Sequence, residues 1–164
     1  MNIEPVVYDF RTRLRWTSQK KGVLSCDGKP DLHVACAPEF GGHPQVWTPE
    51  DMFVGSVELC TMTTFLYLAE KMHLKIKSYN SDAVGKAKMS EGTLRYVKIE
   101  IRPVVNVSEQ GDVPKAEKVF DQISRWCLIS NSICPEVSIV PDINFQGGDT
   151  QPKVNKRSAH KETR

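Results

Sequence analysis

No glycine-rich phosphate loop, no CxxC pair and no pair of histidines at helical spacing occurs in these 164 residues. The first absence removes the usual nucleotide-binding signature. The others remove the usual zinc ligand sets, because Cys26, Cys36, Cys60, Cys127 and Cys134 are unevenly spaced. Neither a metal nor a cofactor is expected, and no Ser-His-Asp arrangement can be placed. Excess charge of one sign is missing too. A net charge of +2 at pH 7 gives nucleic acid or an anionic membrane no global attraction. The opening residues MNIEPVVYDF lack the basic patch and apolar stretch of a secretory signal. Five cysteines, an odd number at irregular spacing, do not read as an extracellular disulfide framework. The expectation is a cytoplasmic protein with reduced thiols. Finally, the apolar stretch from Met52 to Ala69 is not free of charge. Glu58 stands near its centre, where a carboxylate costs about 2.5–3.5 kcal/mol on membrane insertion, so a core helix is expected and not a membrane span.

What is present is enough apolar residue, 40% of the chain, for one domain with its own core. The segment VVYDFRTRLRW alternates, with Tyr8, Phe10, Thr12, Leu14 and Trp16 on one face and Asp9, Arg11, Arg13 and Arg15 on the other. That period of two predicts a half-buried antiparallel strand. Two short extended pieces around Asp27-Gly28 complete a β-meander. After a loop rich in glycine, Thr48 is a helix N-cap, Pro49 suits the first helical position, and Glu50 and Asp51 complement the positive end of the dipole. This helix is expected to reach about His73 and to need apolar neighbours on most sides.

From Leu74 the period returns to two, through LKIKSYNSDAVGKAKM and LRYVKIEIRPVVNV with a turn at Glu91-Gly92, which predicts a second meander. Val97, Ile99 and Ile101 share a face there. A second helix is predicted from Pro114 to about Asn131 on a stripe of Ala116, Val119, Phe120, Ile123, Cys127 and Ile129. EVSIVPDINF is a last short strand. The fold class is therefore α+β, two meanders around two core helices, in a single domain over 1–146. Residues 147–164, with five basic side chains against two acidic, read as a disordered tail.

Two thiols, Cys60 and Cys127, lie one per helix on the apolar stripes. Buried free cysteine is common, so packing and chemistry both remain open on this pattern alone. The motifs around them say more. TPEDMFVGSVELCTMTTFLYLAEK resembles the first-cysteine segment of the OsmC/Ohr family, the osmotically inducible and organic hydroperoxide resistance proteins. CLISNSI resembles that family's C-x-x-S-N motif, and DGKPDLHVACAPEFGG the strand and loop before the first motif. The resemblance runs from about Val7 to Asn144. It implies an intertwined homodimer with active sites at the interface, Cys60 as peroxidatic cysteine, Cys127 as resolving cysteine and Glu50 as active-site carboxylate. It further implies a small-molecule hydroperoxide as substrate and a thiol or dithiol as reductant. Phe53, Val57 and Met62 are candidate apolar substrate contacts, with core packing as the competing role.

One constraint is independent of the family. Glu50 and Cys60 are ten positions apart, so an unbroken helix holds their Cα atoms about 15 Å apart. Either the helix breaks, or the carboxylate of a site comes from the second chain, which is the reading preferred here. Two departures from the family pattern stand out. Lys20 occupies the arginine position of T-x-x-R-x-G in Thr17-Ser18-Gln19-Lys20-Lys21-Gly22, and the loop from Ala37 to Thr48 has neither arginine nor lysine. Lysine cannot present a planar fork to a carboxylate. Glu58 stands where relatives have a small residue, either paired with Lys20, placed near Cys60, or solvated. The expected function is a cysteine-based peroxidase for organic hydroperoxides, weakened by the missing arginine. The alternative is the same dimer as a scaffold that binds an apolar small molecule at its interface.

Overall fold

The structure is a computed structural model and describes residues 6–145; the predicted C-terminal tail lies outside them. Three strands come first, β1 (Arg13–Ser18), β2 (Lys21–Ser25) and β3 (Leu32–Ala35), paired antiparallel in that order. The long helix α1 (Pro49–Lys71) follows, then the hairpin β4 (Ile76–Ser90) and β5 (Thr93–Val107), helix α2 (Val113–Trp126), and β6 (Glu136–Ile139) and β7 (Asp142–Phe145). The α+β class expected from the sequence is the class observed. Its second strand block departs from a meander: β6 and β7 both lie parallel to β5, so α2 is a crossover between parallel strands. The expected single last strand is split at Val140-Pro141, between the two segments that pair with β5.

Local chemistry explains where the helices start and stop. Thr48 Oγ1 accepts from the Asp51 N–H at 3.1 Å, while the Asp51 carboxylate accepts from the Thr48 N–H at 3.1 Å, a reciprocal capping box. The helix ends at Lys71, two residues before the expected point, because His73 turns into the left-handed region at φ 52°. Helix α2 stops at Trp126, short of the predicted Asn131. Cys127 is extended there (ψ 106°), and one 3₁₀ turn, Ser130–Ser132, follows. In the β4–β5 hairpin, Glu91 and Gly92 both have positive φ, as a primed two-residue turn requires.

Side chains of α1, α2 and β5 build the core. Phe65, Leu68 and Ala69 of α1 meet Ala116, Val119, Phe120 and Ile123 of α2 over Val105 and Val107 of β5. Phe65 stacks on Phe120 at 4.5 Å between ring centroids. A second cluster gathers Val57 of α1 on Ile99 and Ile101 of β5, with Ile129, Ile133 and Val137 against it. Val97, predicted to share that face, is exposed, next to the register shift opposite Lys86 and Ala87.

Two expectations of burial fail within one chain. Helix α1 buries only Val57, Thr61, Phe65, Leu68 and Ala69, and Leu59, Leu66 and Tyr67 on its other sides are exposed. By length and composition α1 also suffices to cross a membrane. Its contacts with α2 and β4, and a 2.6 Å bond from Ser81 Oγ–H of β4 to the Glu58 carboxylate, place it in the folded body. The half-buried first strand is shorter than predicted and exposed on both faces. Tyr8 and Phe10 precede it, and Leu14 and Trp16 remain about 70% exposed. Alternation marked which face seeks cover, and this chain does not supply the cover.

Candidate functional site

Cys60 sits at the middle of α1 and Cys127 immediately beyond α2, Cys127 within the cluster built on Phe65 and Phe120 and Cys60 packed against it. Because α1 packs directly on α2, the two thiols lie close enough for each to perturb the other's ionisation. Cys127 is fully buried and Cys60 partly exposed. Cys127 Sγ accepts from the Ser130 hydroxyl at 3.1 Å.

These surroundings act oppositely on the two thiols. Burial pushes the Cys60 thiol above its ordinary value, and the neighbouring Cys127 pushes it the same way, against hydrogen bonds from the Ile129 N–H and the Thr64 hydroxyl. Burial also pushes Cys127 up. There, however, the Ser130 hydroxyl, the Cys60 thiol and the two backbone N–H groups together outweigh it, and the thiol lies below its ordinary value. Within one chain, Cys127 is thus the sulfur better able to carry negative charge.

Glu50 and Lys20 lie elsewhere. Both line a cavity of about 590 Å³ between the β1–β2–β3 sheet and the start of α1, walled by Leu14, Trp16, Leu24, Val34 and Met52. The Glu50 Oε2 atom is buried without a hydrogen-bond partner. Lys20 Nζ donates to the Phe40 carbonyl at 2.7 Å, and the Cys36 thiol, also on the cavity wall, points to the same carbonyl at 3.8 Å. Gly42 closes this loop, since a Cβ there would stand 1.7 Å from the Cys36 carbonyl oxygen. Helix α1 is unbroken between residues 50 and 60, so Glu50 and Cys60 of one chain do not meet.

The remaining candidates are placed as follows. Val57 is completely buried against Ile99 and Ile101 and offers a substrate no surface, which corrects its candidacy as a contact. Phe53 packs against Tyr96 at 4.9 Å and joins the same cluster, and Met62 is half-buried. Glu58 pairs neither with Lys20 nor with a thiol but with Ser81. Cys26 and Cys134 are free thiols away from the pair. Among the described residues no three His, Cys, Asp or Glu side chains converge on a common point. Sequence reasoning missed the roles of Ser130 and Thr64. Their signal was spacing: Thr64 follows Cys60 by four, one turn along α1, and Ser130 follows Cys127 by three in the chain reversal after α2.

Comparison with known proteins agrees with this architecture. An OsmC-like protein from Vibrio cholerae, described as being of unknown function, superposes with a TM-score of 0.76 at 23% identity, over 82% of this chain and 99% of that one. An organic hydroperoxide resistance protein from Elizabethkingia anophelis gives 0.64 at 14% identity over 86% and 99%. An organic hydroperoxide resistance protein OsmC from Legionella pneumophila gives 0.60 at 17% identity over 82% and 96%. No curated protein sequence matches the chain. The profile of the OsmC-like protein family matches residues 42–141, a stretch that holds α1, the β4–β5 hairpin, α2 and both central cysteines, and the chain belongs to that family.

Proposed function

We propose that the protein is a homodimeric thiol peroxidase that reduces organic hydroperoxides through Cys60 and Cys127. The observation that carries this reading is the approach of two thiols, one from the middle of α1 and one from the turn after α2, close enough for each to perturb the other's ionisation, in a family some of whose members are named organic hydroperoxide resistance proteins. As thiolate, Cys60 attacks the peroxide oxygen distal to the carbon chain. The O–O bond breaks, the sulfur becomes a sulfenic acid, and the alkoxide takes a proton and leaves as alcohol. Cys127 then attacks the sulfenic sulfur and expels water, with formation of the disulfide. A dithiol returns two electrons.

The uncovered apolar surfaces support a second copy as the missing wall. Leu59, Leu66 and Tyr67 of α1 and Leu14 and Trp16 of β1 are the side chains it would cover. The two-chain arrangement brings Glu50 and Lys20 of one copy to Cys60 and Cys127 of the other. Glu50 orients the hydroperoxide, and the Lys20 ammonium lowers the Cys60 pKa against the effect of burial. Phe53 and Met62, on opposite faces of α1, stay proposed substrate contacts at the interface.

The raised Cys60 pKa within one chain favours a second reading, the same dimer as a scaffold for an apolar small molecule in the 590 Å³ cavity. One experiment separates them: consumption of cumene hydroperoxide coupled to a dithiol, by the wild type and by Cys60→Ser. The peroxidase predicts turnover that the substitution abolishes. No turnover in the wild type, together with a small molecule that co-purifies, establishes the scaffold.

A further inference from the structure

Resting on the peroxidase reading, we propose that Ser130 is a positioning residue that fixes the polarity of the Cys60–Cys127 disulfide, so that a dithiol reductant attacks Cys60 and Cys127 departs as the thiolate. Two geometric features select this direction over the reverse. The first is access. Thiol–disulfide exchange requires the incoming sulfur to approach along the S–S axis from behind the sulfur it attacks. Cys127 is enclosed in the apolar cluster that also holds Ala116, Val119 and Ile123 and its side chain has no exposed surface, whereas Cys60 is partly exposed on α1.

The second feature is the cradle around the departing sulfur. Cys127 Sγ accepts from the Ser130 hydroxyl at 3.1 Å, and the nearby Ser130 and Ile129 N–H groups favour its charged form. Chain reversal after α2 holds these donors in place. The Asn131 N–H bonds the Cys127 carbonyl at 3.1 Å, Asn131 Nδ2 bonds the Arg125 carbonyl at 3.3 Å, and the Ser132 hydroxyl bonds the Leu128 carbonyl at 2.8 Å. Donors fixed beforehand stabilise charge as it develops, without reorganisation during the step. Cys60 has fewer donors of this kind, from Ile129 and Thr64.

A thiolate of the reductant forms a bond to Cys60 Sγ, the S–S bond breaks, and its electron pair leaves with Cys127. The second thiol of the reductant then attacks the sulfur joined to Cys60. Cys60 is released and takes a proton, and the reductant ends as a cyclic disulfide, having supplied both electrons.

The test uses the full-length protein oxidised with diamide, so that the disulfide forms whatever its reactivity toward peroxide. Brief exposure to glutathione, acid quench, alkylation of free thiols and peptide mapping should find glutathione on Cys60 and the alkyl group on Cys127. Glutathione on Cys127 with alkylated Cys60 overturns the polarity. In parallel, Ser130→Ala should slow dithiothreitol reduction of the disulfide about three- to tenfold, the effect of losing one hydrogen bond to a developing charge. It should also raise the pH at which the Cys127 thiolate absorbs in the ultraviolet, and Ser130→Thr should restore both. An unchanged rate and pH profile in Ser130→Ala overturns the role of Ser130. Failure of diamide to join Cys60 to Cys127 overturns this inference and the disulfide mechanism together. A normal result beside absent peroxide turnover leaves the polarity standing and removes only the peroxidase.

Discussion

Mixing two inactive variants tests whether each site is shared between chains. Glu50 is the second residue of α1 and Cys60 the twelfth of a helix that runs unbroken from Pro49 to Lys71. Ten residues at 1.5 Å rise separate their Cα atoms by about 15 Å and rotate them about 80° apart, beyond the reach of a glutamate and a cysteine side chain to a common peroxide. If each site takes Cys60 from one chain and Glu50 from the other, then Cys60→Ser and Glu50→Gln are each inactive as homodimers. Refolded together in equal amounts, they form mixed dimers in about half the population, and each mixed dimer holds one intact site of two, so about a quarter of wild-type sites return. The assay is peroxide consumption at fixed total protein, with dimer exchange verified by differently tagged chains. A same-chain site predicts no recovery, because every site in a mixed dimer lacks one group. Complete exchange with activity no higher than that of the parent variants refutes the shared site.

Three further predictions concern single side chains. Lys20→Arg supplies the planar fork that lysine lacks and should raise peroxide turnover severalfold, while Lys20→Ala should lower it; stopped-flow peroxide consumption checks both, and a fall with arginine contradicts the assigned role. The Tyr79 hydroxyl is buried without a partner, and burial pushes its pKa up to about 12. Its folded pKa lies above the ordinary value near 10, so the phenol leaves stability unchanged below pH 10, and as pH rises from 10 toward 12 ionisation of the unfolded chain lowers it. Urea unfolding of Tyr79→Phe should therefore show no loss at pH 7 and a flatter decline between pH 10 and 12. Thr48→Ala removes the Oγ1 acceptor for the Asp51 N–H and should cost about 1 kcal/mol, read as a lower midpoint in urea with an unchanged slope.

Features set by adjacent residues were legible in the sequence, and those set by distant ones were not. Thr48-Pro49 announced the start of α1, and Glu91-Gly92 the hairpin, because caps and primed turns are governed by local backbone geometry. The ends of both helices were harder to read: the left-handed His73 and the extended Cys127 break patterns that hydrophobic spacing would have continued. Parallel pairing of β6 and β7 with β5 depends on where α2 returns the chain, which no short window contains. Alternation through Leu14 and Trp16 identified an apolar face but not whose atoms cover it.

The site divides along the same line. Motif resemblance singled out Cys60 and Cys127, whereas their approach is a product of α1 packing on α2. Ser130 belongs to the C-x-x-S-N motif, yet its role emerges only when the chain reversal aims its hydroxyl at a sulfur. Val57 looked like a substrate contact because an apolar residue near a nucleophile reads the same in sequence whether it faces a cavity or β5.

The central claim is that Cys60 and Cys127 exchange electrons with a hydroperoxide as a pair. Its most direct test is to treat the fully reduced protein with one equivalent of cumene hydroperoxide, alkylate, and map the disulfides by mass. The account predicts a Cys60–Cys127 crosslink within each chain, formed together with one equivalent of alcohol. Both cysteines recovered as alkylated free thiols while the hydroperoxide persists would contradict it.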